Sequence, residues 1–210
     1  MFYEPSRGHG LPHDPIKAII APRPIGWIST LDAEGRPNLA PYSFFNMVQT
    51  RTPLCMFGSD GLKHTAANAI ATGEFVFNLV SRPLFDAMNA TSAALGQGVD
   101  EFEAAGLAKA ACHKVAAPRV AVSPAALECK VVHSMELHTV DGTSTGGWLI
   151  VGQVVGVHIN EDFLTDGLFD TVKAEVVARC GYRDYSQVTE MFSALRPTDN
   201  GAYRPGGGDH

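Results

Sequence analysis

The chain is short of charge. Asp, Glu, Lys and Arg make up 18% of its 210 residues, against roughly 25% in ordinary soluble domains, and basic residues are the scarcer sign. With 16 Lys and Arg against 22 Asp and Glu the formal net charge is −6, and the pI is near 5.7. A nucleic-acid partner requires a basic patch, and none is visible, so none is expected. Long apolar runs are also lacking; each is interrupted within a few residues, and no membrane span is expected. The opening Met1–Gly10 has no apolar core ahead of a small-residue cleavage site, so no signal peptide is expected. Cysteines at 55, 112, 129 and 180 never form a C-x-x-C pair. Neither a zinc site nor a disulfide framework is expected, and four reduced thiols in a cytoplasmic protein is the reading.

The common catalytic signatures are missing as well. There is no G-x-x-x-x-G-K-[ST], G-x-G-x-x-G, H-E-x-x-H or G-x-S-x-G. No nucleophile–base pair stands out, and no catalytic residue is assigned. The eight histidines are scattered. His133 and His138, five apart in a strand, face opposite sides and do not converge on a metal.

What the sequence does have is hydrophobic content of 45%, with 21 glycines and 13 prolines. The first excludes a disordered chain, and the second implies many turns and a strand-rich fold. Its length suits one well-buried domain. The expected layout is a flexible N-terminal arm at 1–15, one domain at 16–197 and a Gly/Pro-rich tail at 198–210. Residues 25–31 (IGWISTL) read as a strand, 32–36 as a turn, and 37–45 as its returning partner in a hairpin. Residues 54–59 form a short buried strand. Residues 64–72 form a helix stopped by Gly73. Residues 74–80 alternate, with Phe75, Phe77 and Leu79 on one face. A short helix is expected over 82–91, and two long strands over 127–137 and 148–159, with turn chemistry between them. Antiparallel strands with a few inserted helices point to a closed or nearly closed barrel.

Small polar residues concentrate in the first third. Ser29 and Thr30 end one strand, Asn38, Ser43 and Asn46 stud the next, and Ser59, Lys63, His64 and Thr65 gather where the first helix begins. A helix N-terminus offers free N–H groups and partial positive charge, which together hold a phosphate. Against this, Thr65 can simply cap the helix with Lys63 in water. Trp27 and Tyr42 can flank a flat aromatic ligand, or pack in a core. Asp100, Glu101 and Glu103 read as a solvated acidic surface.

Taken in order, these segments resemble the flavin reductase-like family of FMN-binding split barrels. The resemblance runs through Pro22–Thr30, Asn38–Asn46, Lys63-His-Thr65 with Asn68, Thr72–Asn78, Asp100–Phe102, Leu127–Cys129, Val151–Val155 and Arg179–Tyr185 to Arg196-Pro197. It implies a mainly β fold: a six-stranded antiparallel Greek-key split barrel with a few short inserted helices. It implies a homodimer binding FMN near the subunit interface. The strands carrying Ser29, Thr30, Ala40, Pro41, Tyr42, Ser43 and Asn46 would contact the isoalloxazine and ribityl chain. Ser59, Lys63, His64 and Thr65 would hold the phosphate, and Trp27 would lie beside the ring. The chain departs from the family at His64, where relatives often carry Asp, and this leaves FMN against FAD open.

The implied activity is an NAD(P)H-dependent flavin reductase. A nicotinamide would pass hydride to flavin N5, and reduced flavin or electrons would go to a partner monooxygenase or redox protein. The rival readings are an FMN-bound electron carrier without a nicotinamide site, and a flavin-free structural or ligand-binding barrel.

Overall fold

The computed structural model describes residues 1–93, 96 and 98–194. The tail at 198–210 and the Arg196-Pro197 match therefore lie outside the described residues. Seven strands form the main sheet: β1 (Gly26–Leu31), β2 (Pro37–Tyr42), β3 (Phe45–Gln49), β4 (Leu54–Ser59), β5 (Glu74–Asn78), β6 (Ala125–His138) and β7 (Ser144–Ile159). Their spatial order is β2-β1-β5-β6-β7-β4-β3, with every neighbouring pair antiparallel. α1 (Ile16–Ile19) precedes them, and between them lie α2 (His64–Thr72), α3 (Phe85–Ala90) and α4 (Glu101–Ala104).

β2 and β3 occupy opposite edges of this sheet, yet only Ser43 and Phe44 separate them in sequence. The sheet must therefore curl until its edges meet, and Gly58 N–H of β4 donates to Phe44 O at 2.7 Å, carrying the β3–β4 pairing into the turn that links β3 to β2. Counted as one bent strand, β2 and β3 make the barrel six-stranded. The connection from β4 to β5 crosses to the far side of β1 through α2, which gives the Greek-key path. The sequence reading of an unbroken strand over 37–45 differs here, because the chain turns at Ser43–Phe44 to change partners.

Alternation fills the interior. Ile28, Phe45, Cys55, Phe57, Phe75, Cys129 and Ile150 are buried together, with Ala66 and Ala69 of α2 plugging one end. Phe45 stacks on Phe77 with centroids 4.6 Å apart, and Phe57 meets Phe75 edge-on at 5.2 Å. All of β5 is buried, because Val115 and Ala117 cover Val76 on its outer face. A second core lies outside the barrel, where Trp27, Leu39, Val80, Met88, Phe102 and Val120 pack together beneath α3 and α4.

Two glycines explain local geometry. Gly73 ends α2 in the left-handed region at φ 72°, and its N–H bonds Ala69 O. At Gly26 a Cβ would lie 2.5 Å from the Phe45 ring, so β1 and β3 approach only because no side chain intervenes. Gly26→Ala is expected to cost about 1–3 kcal/mol as an overpacked site. Urea unfolding measures this, and an unchanged midpoint would contradict closure of the barrel by Phe45 over Gly26.

The short strands Arg23–Pro24, Val177–Arg179 and Tyr185–Gln187 form a separate sheet that ties an early segment of the chain to a late one. In the region read as an arm, Pro5–Arg7 forms a 3-10 turn and the His13 ring lies 5.7 Å from Tyr182. No helix among the described residues is long and apolar enough to cross a membrane.

Candidate functional site

α2 starts without a side-chain cap. Lys63 stands at the cap position in extended conformation (φ −76°, ψ 172°), and its side chain makes no capping bond. First-turn amides and the positive end of the helix dipole are thus left available. Thr65, the candidate cap in the sequence, is diverted: its Oγ1 accepts from Asn38 Nδ2 at 2.8 Å.

This helix start opens onto a cavity of about 530 Å³, within the usual range for small-ligand sites. Asn38, Ala40, Pro41 and Tyr42 of β2 form one wall, and Leu62, Lys63, His64 and Thr65 form another. Thr91, Ser92, Ala93 and Glu101 complete it. The Tyr42 hydroxyl hydrogen-bonds with both Thr65 and Ser59; burial pushes its phenol pKa up, and those two bonds oppose the rise. Ser59 Oγ donates to Gly61 O at 2.7 Å, fixing the turn that leads into α2. Polar side chains thus brace one another behind the cavity wall, while Lys63 and His64 are exposed at its mouth.

Of the sequence candidates, Ala40, Pro41, Tyr42, Lys63, His64 and Thr65 converge on this cavity. Ser59 stands behind Tyr42, and Ser43 lines an adjoining cavity of about 310 Å³ that shares Pro41 and Ser92. The structure does not bring the other four to the cavity. Trp27 is fully buried and packs in the outer core, its indole Nε1 donating to Thr91 Oγ1 at 2.9 Å. It therefore stands behind the wall that Thr91 forms rather than open to a ligand ring. Ser29 lies on the same face of β1 and is sealed by Pro118, whose carbonyl accepts from its Oγ. Thr30, on the opposite face, accepts from Asn68 Nδ2. Asn46 is exposed on β3, its Oδ1 accepting from Met47 N–H. Trp27, Ser29 and Thr30 share one reason: β1 is covered on both faces, so none of these side chains is left for the cavity, whereas Asn46 lies on an edge strand, β3.

The acidic run is not a uniform solvated surface. Glu101 is buried, lines the cavity, and accepts from Leu39 N–H at 3.0 Å, mooring α4 to β2. Asp100 caps α4 by accepting from Phe102 N–H and Glu103 N–H. The D-x-x spacing before a short helix is the signal for the cap; nothing in the sequence marks Glu101 as buried.

Cys112, Glu128 and His158 each place one donor atom within 4.8 Å of the others. The carboxylate is already engaged by three backbone amides and His158 Nε2, so the group reads as an anchor for residues 113–115 on the barrel wall. Burial, with the nearby Glu128 charge, pushes the Cys112 thiol up to about 11, which makes it inert.

An uncharacterized protein of Deinococcus radiodurans is 34% identical over 196 residues, spanning 87% of this chain and 83% of its own. Nitrilotriacetate monooxygenase component B from Bacillus cereus superposes with a TM-score of 0.79 at 28% identity, covering 85% of this chain and 90% of that one. Pseudomonas fluorescens 2-nitrobenzoate 2-nitroreductase superposes with a TM-score of 0.77 at 25% identity, covering 88% and 89%. The family model described as flavin reductase like domain matches residues 20–174. With that match spanning most of the curled barrel, the chain belongs to the flavin reductase-like domain family.

Proposed function

We propose that the protein is an FMN-binding oxidoreductase, an NAD(P)H-dependent flavin reductase that supplies reduced flavin or electrons to a partner monooxygenase or redox protein. One observation carries the reading: the uncapped start of α2, with Lys63, His64 and Thr65 beside it, opens into the cavity walled by β2. That donor set fits a phosphate monoester, because free amides, the positive end of a helix dipole and a lysine stand together at the helix start that lines the cavity. The family supports the flavin, and the likeness to a monooxygenase component and a nitroreductase supports the redox role.

In this reading Lys63, His64 and the first-turn amides bind the phosphate. Asn38 and Tyr42 hold the Thr65 side chain in place. Ala40 and Pro41, small and rigid, leave room beside β2 for a flat ring. Bound FMN supplies the two-electron redox chemistry. The protein's contribution is placement, an orientation effect that needs no general acid or nucleophile.

A homodimer completes the proposal. Phe44, Met47 and Val48 near the barrel seam and Val132, Met135, Val157 and Ile159 on β6 and β7 are exposed apolar side chains that a second copy would cover. Sedimentation at twice the chain mass is the expected result; a monomer with FMN bound would rule out a shared site.

The role is tested by adding NADH and then NADPH anaerobically to the FMN-loaded protein. Rapid bleaching of the flavin band by either supports the reductase. Slow bleaching, with fast reduction only by a protein donor, would make it an electron carrier instead.

A further inference from the structure

The adjoining cavity of about 310 Å³ is cationic in an otherwise acidic protein. Lys17, Arg23 and Arg179 line it, and no Asp or Glu does, while the whole chain carries −6. None of the three forms an ion pair among the described residues. Arg23 is only 8% exposed. Its guanidinium donates to the carbonyls of Lys17, Ile20 and Cys180, the last at 3.0 Å, which ties α1 to the loop after Val177–Arg179. Arg179 donates to Tyr182 O at 2.6 Å and to the Tyr185 hydroxyl, and lies 4.4 Å over the Tyr185 ring. Backbone carbonyls and a phenol hold both guanidinium groups in place, but their charge stays uncompensated. Lys17 is exposed, its ammonium 5.9 Å from the Phe44 ring.

Three like charges around a concave site, with no counter-charge, create a potential that draws in an anion. Phe44 and Tyr182 add flat apolar walls. We propose that this cavity is the anion-binding subsite for the co-substrate: Lys17 contacts a phosphate or carboxylate, and Arg23 and Arg179 supply fixed positive potential. The proposal rests on the flavin reading only for the word co-substrate, since the shared Pro41 and Ser92 put the two cavities side by side. A dinucleotide donor would present its diphosphate here, whereas an aromatic acid would present its carboxylate.

The test is calorimetric titration of the wild-type protein, Lys17→Gln and Lys17→Glu with inorganic pyrophosphate and, separately, with benzoate. Lys17 is exposed, so these variants are expected to fold. Wild-type binding of one anion, weakened tenfold or more by Lys17→Glu, less by Lys17→Gln, and suppressed by salt, supports the subsite; which anion binds identifies its source. FMN affinity is measured on the same three proteins and is expected to be equal. Tight FMN binding with neither anion bound, or with all three proteins binding anions alike, overturns the subsite and leaves the flavin reading standing. Anion binding lost in Lys17→Glu without any FMN binding keeps the subsite and overturns the flavin reading.

Discussion

Glu128→Ala is expected to destabilise the protein by about 3–5 kcal/mol, the scale seen when one partner of a buried charged network is removed. Glu128 is 1% exposed. Its Oε1 accepts from His113 N–H at 2.9 Å and lies 2.6 Å from His158 Nε2, and its Oε2 accepts from Lys114 N–H and from Val115 N–H at 3.1 Å. Truncation would leave three backbone donors without an acceptor on the barrel wall, each a desolvation cost of roughly 1–3 kcal/mol. Burial alone would raise this carboxyl, but the amides of His113, Lys114 and Val115, with the His158 ring, hold it at about 2, below its ordinary 4.5. The sign follows from the unfolded chain binding the proton more tightly. The stabilisation is full above pH 4.5 and is lost as pH falls from there toward 2. Wild type should therefore lose stability across that window, and Glu128→Ala should lose less across it. Equal losses in urea unfolding at pH 5 and pH 3 would show that Glu128 is not the anchor.

Lys63→Ala is expected to weaken FMN binding by about 1.5–3 kcal/mol, the range for a charge-assisted hydrogen bond, or roughly 10- to 150-fold. The side chain is exposed and caps nothing, so the fold has little to lose. Lys63→Arg should recover part of the affinity because the charge is kept. Flavin fluorescence titrations measure both, and an unchanged affinity in folded Lys63→Ala would remove Lys63 from the site.

Local chemistry made much of the fold readable. Gly73 stops α2 where a C-terminal glycine should, and alternation put Phe75 and Phe77 on the barrel face of β5. The bend at Ser43–Phe44 was not readable, because it depends on β3 finding β4 as a partner, which is a consequence of closure. In the site, the α2 start was legible because a cluster of Ser, Lys, His and Thr before a helix has a local meaning. That the side chains of Trp27, Ser29 and Thr30 lie away from the cavity was not legible, for the opposite reason. Alternation tells which side chains share a face, but not that α3, Thr91 and Pro118 cover one face of β1 and α2 the other. Glu101 is similar, since its burial is set by Leu39, which lies far away in sequence.

The central claim is that the cavity at the start of α2 holds FMN, and the most direct test is an absorbance titration of the purified protein with FMN. One flavin per chain, with a perturbed flavin band and weaker binding in Lys63→Ala, is the expected result. A colourless protein that leaves added FMN free in solution would contradict it.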